Sequence, residues 1–206
     1  ADLFKTAGAD RIMTVDLHTA QIQGLSEYPV DHLFAQSLLA AHVRETYAGA
    51  DLAVVSPDAG RVRLAEQWAR DLDDCPIAII HKTRDPLRPH QHDTHRVVGE
   101  VRGRVCVLVD DMIDTGSTVV EAVEALRAAG AAEVVVAATH GVLSDRAATR
   151  LTGCGAREII VTNTLPIPEH ERFPGLTVLS VAPLLARAIR EVFEDGSVTG
   201  LFPEPR

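Results

Sequence analysis

The sequence predicts an α/β protein with a doubly wound, mostly parallel sheet. Short runs of apolar and β-branched residues, such as 105–109 and 134–138, alternate along the chain with segments that have the apolar spacing of helices. These runs are apolar at every position, which is typical of strands that are buried on both faces of a parallel sheet. The regular alternation favours strand-helix-strand units, whose ligands bind at the carboxyl ends of the strands.

The predicted elements follow one another in alternating order along the chain. We expect strands at residues 11–15, 52–55, 77–80, 105–109, 134–138, 158–161 and 176–179. We expect helices at residues 34–47, 62–72, 118–129, 145–151 and 182–193. Gly130 closes the third helix, because glycine readily takes the left-handed conformation that ends helices. Three prolines within residues 163–174 predict a loop.

Composition limits the class of protein. With 206 residues, 46% of them hydrophobic, the chain can bury a sizeable core. Its net charge of −9 argues against binding to nucleic acid. It has no apolar run long enough to cross a bilayer and no secretory leader, so we expect no membrane contact. Cys75, Cys106 and Cys154 are widely spaced, which predicts buried free thiols in a cytoplasmic protein.

A loop of small polar residues follows the apolar run at 105–109 and opens the helix at 118–129. There the backbone N–H groups point outward at the positive end of the helix dipole, where they can bind a phosphate monoester. Gly116 allows the backbone to close on that phosphate. We name this segment the phosphate cradle; it consists of Thr115, Gly116, Ser117 and Thr118, with Asp114 directly before it.

Two acidic residues, Asp110 and Asp111, lie between the apolar run and the phosphate cradle. Carboxylates are poor partners for a phosphate but good acceptors for two vicinal hydroxyls, and they can also hold a divalent cation. A phosphate site at one end and a diol site at the other predict that ribose 5-phosphate binds here. The alternative is that the two acids only end a strand and that Asp114 only caps the following helix.

Two further polar residues are expected at the same edge of the sheet. His18 follows the strand at 11–15, with Asp16 just before it, and Asp58 follows the strand at 52–55. An imidazole and a carboxylate can hold Mg²⁺ directly or through water, and so bind a nucleoside triphosphate. The alternative for His18 is a structural histidine. The sequence has neither a P-loop nor a dinucleotide-binding glycine motif, so a triphosphate must be held in another way.

Residues 81–104 form a basic segment in an acidic chain. Prolines and polar residues predict a mobile flap that closes over a polyphosphate, excludes water and supplies cations; the alternative is a solvated loop that only aids solubility. The cations of the segment are Lys82, Arg84, Arg88, Arg96, Arg102 and Arg104. No cysteine joins His90, His92 and His95 to complete a transition-metal site, so we interpret these histidines as part of a mobile, partly protonated loop.

Several of these segments resemble one enzyme family. The sequence Val-Leu-Val-Asp-Asp-Met-Ile-Asp-Thr-Gly-Ser-Thr is similar to the phosphoribosyl diphosphate (PRPP) motif of type I phosphoribosyltransferase folds. Its Asp-Asp-Met-Ile-Asp-Thr-Gly form resembles ribose-phosphate pyrophosphokinases, which make PRPP. Further matches are Val-Asp-Leu-His at 15–18, Gln-Ile-Gln-Gly at 21–24, Val-Val-Ser-Pro-Asp-Ala-Gly at 54–60, Ile-Ile-His-Lys-Thr-Arg at 79–84 and Ser-Val-Thr-Gly-Leu-Phe at 197–202. Together the matches run almost from end to end.

The resemblance implies an activity and a set of site residues. The family transfers the diphosphoryl group of MgATP to the anomeric hydroxyl of ribose 5-phosphate, which gives PRPP and AMP for nucleotide biosynthesis. Carried over to this chain, the magnesium and MgATP site falls on His18 and Asp58, and the catalytic cations are Lys82 and Arg84. The ribose 5-phosphate site falls on Arg84, Asp110, Asp111, Asp114, Thr115, Gly116, Ser117 and Thr118. Ser117 departs from the family, which usually has a second glycine there.

The resemblance also implies a larger protein. Family members are longer, so we expect residues 1–31 to be a remnant of an N-terminal domain and residues 32–206 to be the C-terminal phosphoribosyltransferase-like domain. Dimers build a hexamer in the family, which implies a homo-oligomer, although part of that contact surface belongs to the segment expected before Ala1.

Two other functions remain open from the sequence. A phosphoribosyltransferase that consumes PRPP with a nucleobase would explain the phosphate cradle, but not the Asp-Leu-His, Ser-Pro-Asp and Lys-x-Arg matches. A non-catalytic, truncated homologue would bind ribose 5-phosphate or PRPP without making PRPP. Binding of ribose 5-phosphate, release of AMP from MgATP and base-dependent release of diphosphate would separate the three functions.

Overall fold

The computed structural model describes residues 2–25, 29–83 and 94–201. Its strands are β1 (Ile12–Val15), β2 (Val30–Leu33), β3 (Leu52–Ser56), β4 (Ile77–Thr83), β5 (Thr94–Val98), β6 (Val105–Ile113), β7 (Glu133–Gly141), β8 (Glu158–Thr162) and β9 (Leu176–Leu179). Its α-helices are α1 (Asp2–Thr6), α2 (Gln36–Thr46), α3 (Val62–Asp71), α4 (Ser117–Ala128), α5 (Ala147–Leu151) and α6 (Ala182–Phe193). Short 3₁₀ helices lie at Ala20–Leu25, Ala59–Arg61, Glu169–Glu171 and Val198–Leu201.

In the described residues, seven strands form the central sheet, in the order β5-β4-β3-β6-β7-β8-β9. Every neighbouring pair is parallel except β4 and β5, which are antiparallel. The strands that follow β3 in the chain lie on both of its sides: β4 is on one side, and β6 is on the other. This confirms the predicted α/β fold with a mostly parallel sheet, and it places the carboxyl ends of β3 and β6 side by side.

The two faces of the sheet pack against different helices. One core joins alternate strand residues, including Val55 and Leu108, to the apolar face of α4. The other joins the residues between them, including Val54 and Val107, to α2 and α3, with Trp68 among its largest buried side chains. Because both faces are covered, the strands need apolar side chains at successive positions, and this explains the unbroken apolar runs of the sequence.

A separate pair of parallel strands, β1 and β2, lies beside the central sheet. The ion pair between Arg11 and Asp31 links the two strands at their start, with 2.9 Å between Arg11 Nη2 and Asp31 Oδ1. A small core around Leu33, Ala188 and Val198 joins β2 to α6 and the last 3₁₀ helix. The predicted domain boundary after residue 31 falls inside β2 and stays a prediction.

Three expectations about the elements need correction. The strand predicted at 105–109 extends to Ile113, so Asp110 and Asp111 belong to β6 instead of following it. The basic segment at 81–104 is not a continuous loop, because its first residues continue β4 and residues 94–98 form β5. The strand β2 was not expected from the sequence. In each case a neighbouring strand supplies backbone hydrogen bonds to residues that have little strand character of their own.

The structure describes all three cysteines of the chain. Cys75, Cys106 and Cys154 are all free thiols, as expected, but only Cys106 is fully buried and the other two are half-buried. Desolvation raises the pKa of the Cys106 thiol to about 11, so this side chain stays a protonated, unreactive thiol. In the part of the chain that the structure describes, no helix has the length and apolar character needed to cross a membrane.

Candidate functional site

The candidate site lies where the carboxyl half of β6 meets the turn that follows β1. His18 Nδ1 lies 2.6 Å from Asp111 Oδ2, which is a short, charge-assisted hydrogen bond. The imidazole is 59% exposed, whereas the Asp111 carboxylate is almost buried at the end of the sheet. Two residues that the sequence assigned to different substrates, 93 positions apart, are therefore in direct contact.

Arg61 joins these groups to the turn after β3. Its guanidinium nitrogen Nη2 lies 2.9 Å from both Asp111 Oδ1 and His18 Nδ1, and its Nε lies 3.4 Å from Asp110 Oδ1. A Nδ1 atom that carries a hydrogen has no lone pair left for the guanidinium, so Asp111 accepts hydrogen bonds from both His18 and Arg61. Arg61 was not predicted from the sequence, although it stands directly after the Ser-Pro-Asp-Ala-Gly match.

Asp58 orients Arg61 through the backbone. Its Oδ1 accepts hydrogen bonds from the N–H groups of Gly60, at 2.7 Å, and Arg61, at 3.1 Å, and so caps the 3₁₀ helix Ala59–Arg61. The backbone carbonyl of Asp58 in turn accepts a hydrogen bond from the hydroxyl of Ser56, at 2.6 Å. Asp58 lies at the predicted edge of the sheet. Its capping of the 3₁₀ helix is a structural role, and its role in binding Mg²⁺ stays a prediction.

The two adjacent carboxylates have different affinities for a proton. Burial and the neighbouring Asp111 raise the pKa of Asp110 to about 7. Burial also acts to raise the pKa of Asp111, but hydrogen bonds from Asp110 and His18 and the charge of Arg61 outweigh it, so this pKa lies below its usual value. Asp111 is therefore the ionised member of the pair at neutral pH, and it holds His18 and Arg61 in place.

The phosphate cradle opens α4 as expected. Gly116 is the N-cap residue of this helix and has a φ of 77°, a left-handed conformation that favours glycine. Ser117 begins the helix, so the departure from a second glycine is accommodated. The Thr115 hydroxyl donates to Ser117 Oγ at 3.3 Å. Asp114 accepts a hydrogen bond from the hydroxyl of Ser144, so the alternative in which Asp114 caps the helix is wrong.

A partly buried hydrogen-bond network holds the turn that carries His18. The Asp16 carboxylate accepts hydrogen bonds from the backbone N–H of Ala35, at 2.9 Å, and from the Thr139 hydroxyl, at 2.6 Å. The Asp16 carbonyl accepts a hydrogen bond from His140 Nε2 at 2.9 Å. Burial raises the pKa of the Asp16 carboxyl above its usual value. From the sequence, Asp16 was noted only as a neighbour of His18, and neither Thr139 nor His140 was predicted.

The basic segment is described only in part. The structure places Lys82 in β4, opposite His95 of β5, and both strands are continuous there. Arg84, His90 and His92, which we predicted as parts of the flap, lie outside the described residues. Because β4 runs parallel to β3, its last residues lie at the same edge of the sheet as Asp58 and Asp111.

The donor groups that the structure describes at this edge do not form a closed metal site. Among the described residues, no three side chains of His, Cys, Asp or Glu come together in a way that could hold a metal ion. Mg²⁺ does not need such a closed site, since it usually keeps several waters and binds to one or two protein groups together with substrate phosphates. The exposed imidazole of His18 and the exposed carboxylate of Asp58 fit this open kind of site.

Replacing Arg61 with methionine is expected to destabilise the fold. The carboxylate of Asp111, which is 9% exposed, would lose its hydrogen bond from the guanidinium and gain little water in exchange. We therefore expect the free energy of unfolding to fall by about 1–3 kcal/mol. Urea unfolding at pH 7 measures this change. Arg63→Met is the matched control, because it removes the same charge from an exposed position two residues away. Equal losses for the two variants would contradict the role of Arg61.

Comparison with known proteins assigns the family. A family model described as the phosphoribosyl synthetase-associated domain matches residues 77–203, which include β6, the phosphate cradle and α6. The chain belongs to this family. A ribose-phosphate pyrophosphokinase from Mycobacterium tuberculosis strain H37Rv is 65% identical over 202 residues, which are 98% of this chain and 62% of the relative. The relative from Bifidobacterium longum, with the same name, is 60% identical over 98% of this chain and 60% of its own length.

A solved structure supports the same family membership. The crystal structure of phosphoribosylpyrophosphate synthetase from Mycobacterium smegmatis is 62% identical to this chain and superposes with a TM-score of 0.88. The match covers 95% of this chain and 63% of the other. This chain therefore spans about three fifths of the length of these phosphoribosyl synthetases, and the similarity extends over nearly all of it.

Proposed function

We propose that this chain carries the ribose 5-phosphate site of a ribose-phosphate diphosphokinase, which transfers the diphosphoryl group of MgATP to ribose 5-phosphate. The observation that carries the proposal is the 2.6 Å contact between His18 and Asp111. It brings the group predicted for the nucleotide next to a group predicted for the sugar, which in-line transfer between two bound substrates requires. The names of the relatives at 57–65% identity agree with this activity.

Ribose 5-phosphate would lie along β6 and the start of α4. The N–H groups of the phosphate cradle and the dipole of α4 favour the doubly charged phosphate group. At the other end, Asp110 and Asp111 offer carboxylate oxygens to the ribose hydroxyls. Asp114, through its bond from Ser144, helps to set the position of the cradle between these two ends. The sugar is then oriented with its anomeric hydroxyl toward the sheet edge that carries His18.

The nucleotide would bind across the same edge. His18 and Asp58 fit a Mg²⁺ ion that is shared with the triphosphate, and such an ion supplies neutralisation of the phosphate charge. In the transfer, the anomeric hydroxyl loses its proton to water as its oxygen forms a bond to the β-phosphorus. The bond between that phosphorus and the α,β-bridging oxygen breaks, and AMP leaves with the electron pair of that bond. Lys82 and Arg84 would stabilise the charge on the transferring phosphates.

The proposal also covers the setting in which the chain acts. Its ligands are ATP and ribose 5-phosphate, and its protein partners are further copies of the same chain. The free cysteines support a reducing compartment such as the cytoplasm, where thiols persist. Sedimentation of the purified chain measures whether copies associate.

Two measurements on the same preparation test the function. Calorimetry with ribose 5-phosphate is expected to detect binding by the unmodified chain, and Asp111→Asn is expected to weaken it. An assay for AMP release from MgATP, with and without ribose 5-phosphate, then tests the transfer itself. Sugar binding without AMP release would instead support the non-catalytic homologue, and diphosphate release that depends on PRPP and a nucleobase would support a phosphoribosyltransferase. Absence of sugar binding would exclude the proposed site.

A further inference from the structure

The helix α5 contacts the phosphate cradle. Arg150 is the fourth residue of this helix, and its Nη1 donates a hydrogen bond to the carbonyl oxygen of Thr115 at 2.5 Å. The same guanidinium lies 3.3 Å from Asp145 Oδ2 in the loop between β7 and α5. Asp145 therefore holds the guanidinium, and the guanidinium holds the carbonyl of the cradle.

This contact sets the direction of the peptide group between Thr115 and Gly116. In a trans peptide the C=O and the N–H point in opposite directions. With the Thr115 carbonyl directed at the Arg150 guanidinium, the N–H of Gly116 points away from that guanidinium. A rotated peptide would instead present the carbonyl oxygen, which repels an anion, on the side where the N–H now points.

The next residue of α5, Leu151, packs against the same peptide. A Cβ atom at Gly116 would lie 3.0 Å from Leu151 Cγ and 3.1 Å from Leu151 Cδ2, which is tighter than ordinary contact. Leu151 is 2% exposed, so it has little freedom to move aside. Two consecutive residues of α5 therefore hold the peptide between Thr115 and Gly116. Arg150 donates a hydrogen bond to its carbonyl, and Leu151 packs against it.

We propose that Arg150 is a positioning residue for the phosphate end of the ribose 5-phosphate site. It acts through the Thr115 carbonyl and keeps the Gly116 N–H available to the phosphate. This inference rests on the proposed function for the identity of the ligand, but the orientation of the peptide does not depend on it. Nothing in the family match assigned a role to Arg150, which lies 35 positions after the residue that it holds.

Ribose 5-phosphate binding by Arg150→Met is the test. We expect the dissociation constant from calorimetry to rise by about tenfold, which corresponds to the loss of one charge-assisted hydrogen bond. Arg146→Met is the matched control, because it removes the same charge from an exposed position one helical turn earlier, and it is expected to bind as the unmodified chain does. Arg150→Lys keeps a donor and should recover most of the affinity. In an active preparation, the KM for ribose 5-phosphate should rise while the KM for MgATP stays constant.

A readout without ligand separates this inference from the proposed function. The ¹H–¹⁵N amide resonance of Gly116 should shift in Arg150→Met and stay in place in Arg146→Met, whether or not ribose 5-phosphate binds. If Arg150→Met does not fold, Asp145→Asn replaces it, because asparagine tolerates the φ of 58° at this exposed position. Unchanged affinity and an unchanged Gly116 resonance in these variants, or equal losses in Arg146→Met, would overturn the role of Arg150. Failure of the unmodified chain to bind the sugar would overturn the proposed function alone.

Discussion

Lys82→Ala is expected to reduce the rate of diphosphoryl transfer by about 100-fold or more, while the affinity for ribose 5-phosphate changes little. Removing one preorganised group that stabilises developing charge typically costs two to three orders of magnitude in turnover, roughly 100- to 1000-fold. Lys82 is the penultimate residue of β4, at the sheet edge shared with Asp58 and Asp111. The proposed sugar site lies on β6 and α4, so its contacts should survive this change.

The measurement is turnover from AMP release together with calorimetry for ribose 5-phosphate. Lys82→Arg is the comparison, because it keeps the positive charge but changes its shape and reach, and it should retain more activity than Lys82→Ala. Far-UV circular dichroism should be the same for both variants. Parallel losses of turnover and sugar affinity would mean that Lys82 belongs to the sugar site and not to phosphate transfer.

Trp68→Ala is expected to lower the free energy of unfolding by about 3–5 kcal/mol, the usual range for removing a large buried aromatic side chain. Trp68 lies on α3 and is 2% exposed. It belongs to the core that joins α2 and α3 to Val54 and Val107 of the central strands. Loss of its side chain would leave a cavity between α3 and the central sheet.

Urea unfolding followed by circular dichroism measures this loss, because the protein has one tryptophan and the variant has no indole fluorescence. Gln67→Ala is the matched control on the same helix. Gln67 is exposed, so its replacement should change the free energy of unfolding by no more than about 0.5 kcal/mol. A loss below about 1 kcal/mol for Trp68→Ala would mean that the core collapses into the space, contrary to close packing around α3.

The predicted fold came from local patterns that tertiary contacts did not override. The apolar runs at 52–55 and 134–138 lie within β3 and β7, and the helix predicted at 182–193 has the bounds of α6. The phosphate cradle was also predictable, because a strand, a glycine and the start of a helix are close in sequence. Its chemistry depends on backbone N–H groups at the start of the helix, which have no acceptor within the helix.

Strand ends and edges were not predictable in the same way. Asp110 and Met112 belong to β6 because Ala138 and His140 of β7 pair with them, although the apolar run ends at Val109. β5 is a polar edge strand whose hydrogen bonds come from β4. Pairing with a neighbour that is distant in sequence decides such elements, and a single segment carries little sign of it.

The sequence by itself determined the parallel sheet, the phosphate cradle and the acids beside it, because these depend on apolar periodicity and on groups within a few residues of one another. Only the tertiary structure decided which residues complete the site. Arg61 reaches Asp111 across 50 positions, His140 holds the turn before His18 across 124, and Arg150 holds the cradle across 35. These contacts depend on how the crossovers stack the turns at one sheet edge, and hydrogen bonds between such distant residues leave no periodic pattern in the chain.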